Sequence, residues 1–128
     1  DAKQACRYAN VSDQAVERQY PGWQWASHNC DDGAANTAKV GRYQPNAWGL
    51  YDMIGNAWEW VEDCWSENYA GNQPADEKAR TVGDCRRQVL RGGSWGYSPD
   101  YARSASRVRS NTSLRDVNVG FRLARMLP

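Results

Sequence analysis

The clearest alternation of apolar and polar positions lies near the end of the chain. In VGFRLAR (119–125), Val119, Phe121 and Leu123 alternate with Gly120, Arg122 and Ala124, the period of two expected of a half-buried strand. The pattern predicts a strand there, paired with RQVLRGG (87–93). Near the start, Ser12 is positioned to cap a short helix through SDQAVERQ (12–19), which Pro21-Gly22 ends. GWQWASHNCDDGAANT (22–37) has no period and reads as a long loop. NAWGLYDMIGNAWEWVEDCW (46–65) carries four of the seven tryptophans and is the predicted core. ENYAGNQPADEKARTVGD (67–84) is polar and turn-rich, a solvated excursion. VLRGGSWGYSPDYARSASRVRSN (89–111) opens on a Gly-Gly-Ser-Trp turn, then loses all periodicity while gaining Tyr, Ser and Arg. No repeat or linker divides residues 1–128, which read as one domain.

Composition changes this picture in one respect. Leu, Ile, Val and Phe number only 16 of 128 residues, low enough to suggest disorder, but the net charge is +1, and 7 Trp with 7 Tyr supply the area a core needs. The expectation is an aromatic-centred, loop-rich fold. No apolar run approaches a membrane span, and the first residues lack the apolar stretch of a signal peptide. Arginine outnumbers lysine 13 to 3, yet a pI near 7.8 and the scatter of the arginines argue against nucleic acid as a partner.

Cys6, Cys30, Cys64 and Cys85 form no CxxC pair, so neither a zinc ribbon nor a thioredoxin-like site is indicated. Their even number favours disulfides and, with them, a periplasmic or extracellular location. Three connectivities are open, alongside four buried thiols in a reducing compartment. The local pairing Cys6–Cys30 with Cys64–Cys85 is preferred, because each bond closes one irregular excursion.

Two blocks, PNAWGLYDMIGNAWEW (45–60) and VLRGGSW…RSASR…NVGFRLAR (89–125), carry a family resemblance. In order and spacing they resemble the formylglycine-generating-enzyme (sulfatase-modifying factor) family. The resemblance implies an α+β, loop-rich, C-type-lectin-like domain with short antiparallel strands and few short helices. It runs from about Arg7 to Arg125 and implies the C-terminal portion of the family domain, without its N-terminal strands. An N-terminal fragment of the same domain is therefore one expected partner.

The family's copper oxidases carry two cysteines just after the GGS-aromatic turn, where this chain reads GYSPDYARSAS (96–106) with none. Copper(I) chemistry needs a thiolate, so no copper is expected. Nor is iron, since His28 is the only histidine and cannot form a two-His site; it reads as structural or solvent-exposed. Calcium is the remaining ion. The resemblance implies one structural Ca²⁺ at Asp52, Gly55, Ala57 and Glu59 and a second at Asn10, Val11, Asp32 and Ala34. Oxygen ligands on irregular backbone suit such a hard cation. The alternative is carboxylates without metal.

No GxSxG, HExxH, P-loop or GxGxxG motif is present, and the sequence supplies no catalytic nucleophile. The function expected is binding of a protein or small-molecule ligand through the irregular surface 96–110. The residues assigned to it are Gly96, Tyr97, Ser98, Asp100, Tyr101, Ser106, Val108, Arg109 and Ser110, supported by Arg103-Ser104-Ala105 and Arg107 inside and by Gly120-Phe121-Arg122. The arrangement also resembles the variable proteins of diversity-generating retroelements, whose targeted codons exclude Lys, Glu, Gln, Met and Trp. None of these occurs at the nine positions. The alternative function is a cysteine-free oxidase-like or accessory enzyme of the same family.

Overall fold

A computed structural model describes residues 4–68 and 78–124; half of the polar excursion, residues 69–77, lies outside them. Two short helices come first, α1 (Ala5–Tyr8) and α2 (Gln14–Gln19). Four strands follow, β1 (Trp58–Trp65), β2 (Asp84–Arg91), β3 (Val108–Asn111) and β4 (Val119–Gly120), with a 3₁₀ turn at Pro99–Tyr101. They form one sheet in the order β3-β2-β1-β4, antiparallel except for the β1–β4 pair. Everything else among the described residues is turn and loop.

The cap of α2 is Asp13 and not Ser12. Asp13 adopts extended backbone, and its carboxylate accepts from Ala15 N at 2.8 Å and Val16 N at 3.3 Å. Ser12 is buried one residue earlier, its carbonyl accepting from His28 N. The helix ends at Tyr20, before Pro21, as expected.

The predicted C-terminal strand shrinks to Val119–Gly120, and it pairs with β1, not with β2. Phe121 is 72% and Leu123 90% exposed, so no apolar face follows. The reason is local. Trp58 N donates to Asn118 O, which draws β4 in parallel, and Arg122 then fastens to Tyr51 O, Asp52 O and Glu59.

β2 is instead the central antiparallel strand, bonded to both β1 and β3. Val89 and Leu90 are adjacent, so they point to opposite faces, and both are buried. Between Trp60↔Leu90 and Cys64↔Gln88 the register slips, leaving extra residues on β1. Both disulfides take the local pairing: Cys64–Cys85 ties the slipped ends of β1 and β2, and Cys6–Cys30 ties α1 to the loop after α2.

The core is small. It comprises Ala9, Val11, Ala15 and Val16 from the first segment, with Trp58, Cys64, Val89, Leu90 and Trp95 from the sheet and its turn. Of the four tryptophans expected to form it, Trp58 is buried and Trp60 and Trp65 are half-buried, but Trp48 is 83% exposed. Asn46 explains this, for its side-chain oxygen accepts from Trp48 N and Leu50 N and closes a turn that carries Trp48 outward.

Candidate ligand-binding site

The site rests on one buried asparagine. Asn56, at φ +58°, receives Asn10 Nδ2 at 3.1 Å and Ala38 N at 2.8 Å on its side-chain oxygen, while its own amide donates to Ala38 O. Its backbone joins the same knot, the N–H donating to Asn10 O and the carbonyl accepting from Trp95 N. Three distant segments are thus pinned beneath the Gly-Gly-Ser-Trp turn. Gly55 beside it has φ +75°, and a Cβ there would stand 2.1 Å from Asn10 O, so only glycine fits.

From Trp95 the chain enters the irregular segment. Gly96 is buried, its α-carbon facing the ring of Trp23, and is a spacer under the surface. Ser98 begins the 3₁₀ turn and accepts from Asp100 N at 3.5 Å. Tyr97 is 36% and Tyr101 39% exposed. Each meets the buried ring of Trp58 edge to face, at 5.6 and 5.8 Å between centroids, and they meet each other at 5.6 Å. The tyrosines are therefore fixed and half-open at once, with little conformational entropy left to lose on contact.

Five of the nine sequence-assigned residues, Tyr97, Tyr101, Val108, Arg109 and Ser110, converge on a concavity of about 180 Å³ with Trp58 and Leu90 among its lining. Tyr101 also borders a wider, open depression with Asp100 and Ser106. The expected internal support differs. Arg103, Ser104 and Ala105 are exposed, whereas Arg107 is half-buried, stacks 4.2 Å over Trp65 and donates to Ser66 O and Glu67 O. Arg109 pairs with Glu67 beside it and lies over the same ring.

Two further aromatic residues join this surface without a signal in the sequence. Trp23 stacks on Tyr20 at 4.4 Å and on Trp95 at 6.0 Å, and Trp25, 55% exposed, reaches Tyr97 at 6.4 Å. The loop that carries them is anchored by the Cys6–Cys30 disulfide and by Arg18 to Asp31. Asp116 and Asn118 also line the small concavity; Asp116 lay outside every motif, and Asn118 only opens the NVGFRLAR block.

The first implied calcium set centres on Asp52, which holds φ +52°. Its Oδ2 accepts from Gly41 N at 2.7 Å, while Oδ1 is buried with no hydrogen-bond partner among the described residues. Glu59 is already gripped by Arg122, which also donates to Asp52 O. In the second set Asn10 Oδ1 is likewise buried and unpartnered. Asp32 accepts from Val11 N and Ala34 N, both at 2.8 Å, and from Tyr43 OH. Burial pushes the Asp32 carboxyl up to about 6, with the neighbouring Asp13 carboxylate adding to it against the pull of the Val11 N–H.

Each quartet thus holds one orphaned oxygen that a hard cation would satisfy, and the residues fit calcium in that respect. Cys6 comes within 4.8 Å of Asp13 and Asp32, but its sulfur is bonded to Cys30 and offers no thiolate. His28, placed by the sequence as structural or exposed, is buried, with neither ring nitrogen partnered among the described residues.

Small helices, a curled mixed sheet and long supported loops define a C-type-lectin-like domain. Residues 2–127 match the sulfatase-modifying factor enzyme 1-like domain family, and the chain belongs to it. The formylglycine-generating enzyme of Mus musculus is 35% identical over 101 residues, which are 77% of this chain and 27% of that protein. The chain therefore spans about a quarter of that relative's length. PvdO from Pseudomonas aeruginosa superposes with a TM-score of 0.72 at 34% identity, over 91% of this chain and 38% of its own. Treponema denticola variable protein 1 gives 0.68 at 28% identity, over 92% and 36%.

Proposed function

We propose that this chain is a member of the family that binds a protein or small-molecule ligand through the surface 96–110, and that it performs no copper oxidation. The observation that carries the reading is the pair Tyr97 and Tyr101, both over a third exposed and both packed edge-on against buried Trp58. Rigid aromatic anchors among small polar residues are the composition of adaptable binding surfaces. The likeness to Treponema denticola variable protein 1 supports the same reading. The absence of cysteine from residues 96–110 supports the lack of copper chemistry.

Structural calcium at one or both quartets accompanies this function, supported by the unpartnered oxygens of Asp52 and Asn10. The two disulfides support an oxidising compartment, periplasmic or extracellular. A groove of about 580 Å³ bordered by Val40, Leu50, Tyr51 and Phe121 supports contact with a further polypeptide segment.

The test is selection of displayed peptides on the chain, followed by the double change Tyr97→Ala and Tyr101→Ala. Binders should weaken at least tenfold, about 1.4 kcal/mol. Binders indifferent to both tyrosines would overturn the reading.

A second reading, a cysteine-free enzyme, is favoured by the name of the mouse relative and by the same groove, which also holds Asp52, Glu59 and Arg122. Turnover of a small molecule that survives the tyrosine changes and fails on Glu59→Gln would favour it.

A further inference from the structure

The small concavity has a polarity that the sequence does not announce. Its wall is aromatic and apolar, from Trp58, Tyr97, Tyr101, Val108 and Leu114, and two charged side chains border it, Arg109 and Asp116. These are not equivalent. Arg109 is neutralised by Glu67 and rests on Trp65. The carboxylate of Asp116 accepts only from its neighbour Val117 N, through Oδ1, and forms no ion pair among the described residues, while its main-chain carbonyl takes Val119 N. The site therefore presents one uncompensated negative charge at the mouth of an aromatic pocket.

At about 180 Å³ the cavity is smaller than the roughly 300–1,000 Å³ of ordinary small-molecule sites, and suits a single extended side chain. Aromatic rings favour cations through their quadrupole, and a carboxylate favours them by charge. An acidic side chain would meet Asp116 with like charge, and a neutral apolar one would leave that carboxylate partly desolvated and unpaired.

We propose that this pocket takes the basic side chain, lysine or arginine, of a partner polypeptide. The alkyl stem lies along Trp58, Tyr101 and Val108, and the charged head meets Asp116 at the rim. The inference rests on residues 96–110 being a binding surface and specifies what that surface selects. Asp116, outside the segment, becomes its specificity-determining residue.

The experiment titrates the chain with blocked peptides Gly-Gly-Ser-X-Ser-Gly-Gly, X being Lys, Arg, norleucine, citrulline or Glu, and follows Trp58 and Tyr101 by NMR. The Lys and Arg peptides should shift these resonances at millimolar concentration, and the neutral and acidic ones should not. Asp116→Asn, an exposed and structurally tolerant change, should weaken the Lys and Arg peptides at least about fivefold. Glu62→Gln, an exposed charge on β1, should leave them unchanged. Norleucine binding as well as lysine, or an Asp116→Asn protein binding as well as wild type, overturns the cation assignment while the surface still binds. Silence from every peptide also overturns it, and the display selection then judges separately whether 96–110 binds at all.

Discussion

The guanidinium of Arg122 and the carboxylate of Glu59 meet in a two-pronged ion pair, Nε to Oε2 at 2.6 Å, across 63 positions of sequence. The same guanidinium caps the carbonyls of Tyr51 and Asp52, at 3.0 and 2.7 Å. One side chain thus binds the end of the chain to the turn before β1. A lysine cannot make the fork. Arg122→Lys should cost about 1 kcal/mol after allowance for its 39% exposure, and Arg122→Ala more, in urea unfolding. Equal stability of all three proteins would show that the pair is ornamental.

Asn56 carries a larger share. Asn56→Ala leaves Asn10 Nδ2 without one acceptor and both polar groups of Ala38 without partners, and should cost about 3 kcal/mol. Asn56→Gly removes the same bonds but accepts φ +58° more readily. The glycine protein should therefore melt above the alanine protein, and the gap between them measures the backbone part.

Replacing Cys64 and Cys85 together by alanine opens a loop with a sequence separation of 21 and should cost about 3 kcal/mol. Because that bond also fixes the slipped register of β1 against β2, amide exchange should quicken first in residues 84–88. Uniform quickening across the sheet would place the effect in the unfolded chain alone.

In chelator, Asp32 sets a pH dependence of defined sign. Its carboxyl sits near 6 when folded against 3.8 unfolded, so between these values the folded state holds the proton more tightly. Stability should then rise as pH falls from about 6 to about 4, by on the order of 2 kcal/mol, and stay level above 6. Asp31, Glu67 and Asp84, held below the carboxylate range by Arg18, by Trp65 and Arg109, and by Arg87, oppose this as pH falls through their ordinary values, 4.5 for Glu67 and 3.8 for the two aspartates, so the rise flattens towards its acid end. Asp32→Asn should abolish the rise, as read from urea midpoints across that range. Calcium at a hundred times its Kd should add ~2.7 kcal/mol at neutral pH. An unchanged midpoint on adding the ion would remove calcium from the account.

Local chemistry made part of this protein legible. The α2 segment announced itself by its capping residues and Pro21, although Asp13, one place along, won the cap because its carboxylate reaches two free amides. The cysteine spacing favoured the pairing found, since short excursions bring their own ends together. The motifs PNAWGLYDMIGNAWEW and GGSW marked the family because their glycines and Asn56 hold backbone conformations that few residues accept.

The period of two in VGFRLAR was misleading, and the reason is instructive: alternation predicts a strand only where a sheet face exists to receive it. Beyond Gly120 the Arg122 fork governs the path, and Phe121 and Leu123 face outward. The aromatic count foretold a core but could not say which rings enter it. Burial depends on what lies opposite, so Trp58 sits under two tyrosines from 40 residues on while Trp48 rides a turn into solvent.

The sequence by itself determined the family, the disulfide-compatible spacing and the segment 96–110 as irregular and rich in contact-making residues, because these are properties of neighbouring positions. Tertiary structure alone decided that Gly96 is buried, that Trp25 reaches Tyr97 and that Asp116 lines the same pocket as Tyr101. Those relationships join residues far apart in the chain, and only the packing of Trp58 against the turn and the sheet brings them within reach of one another.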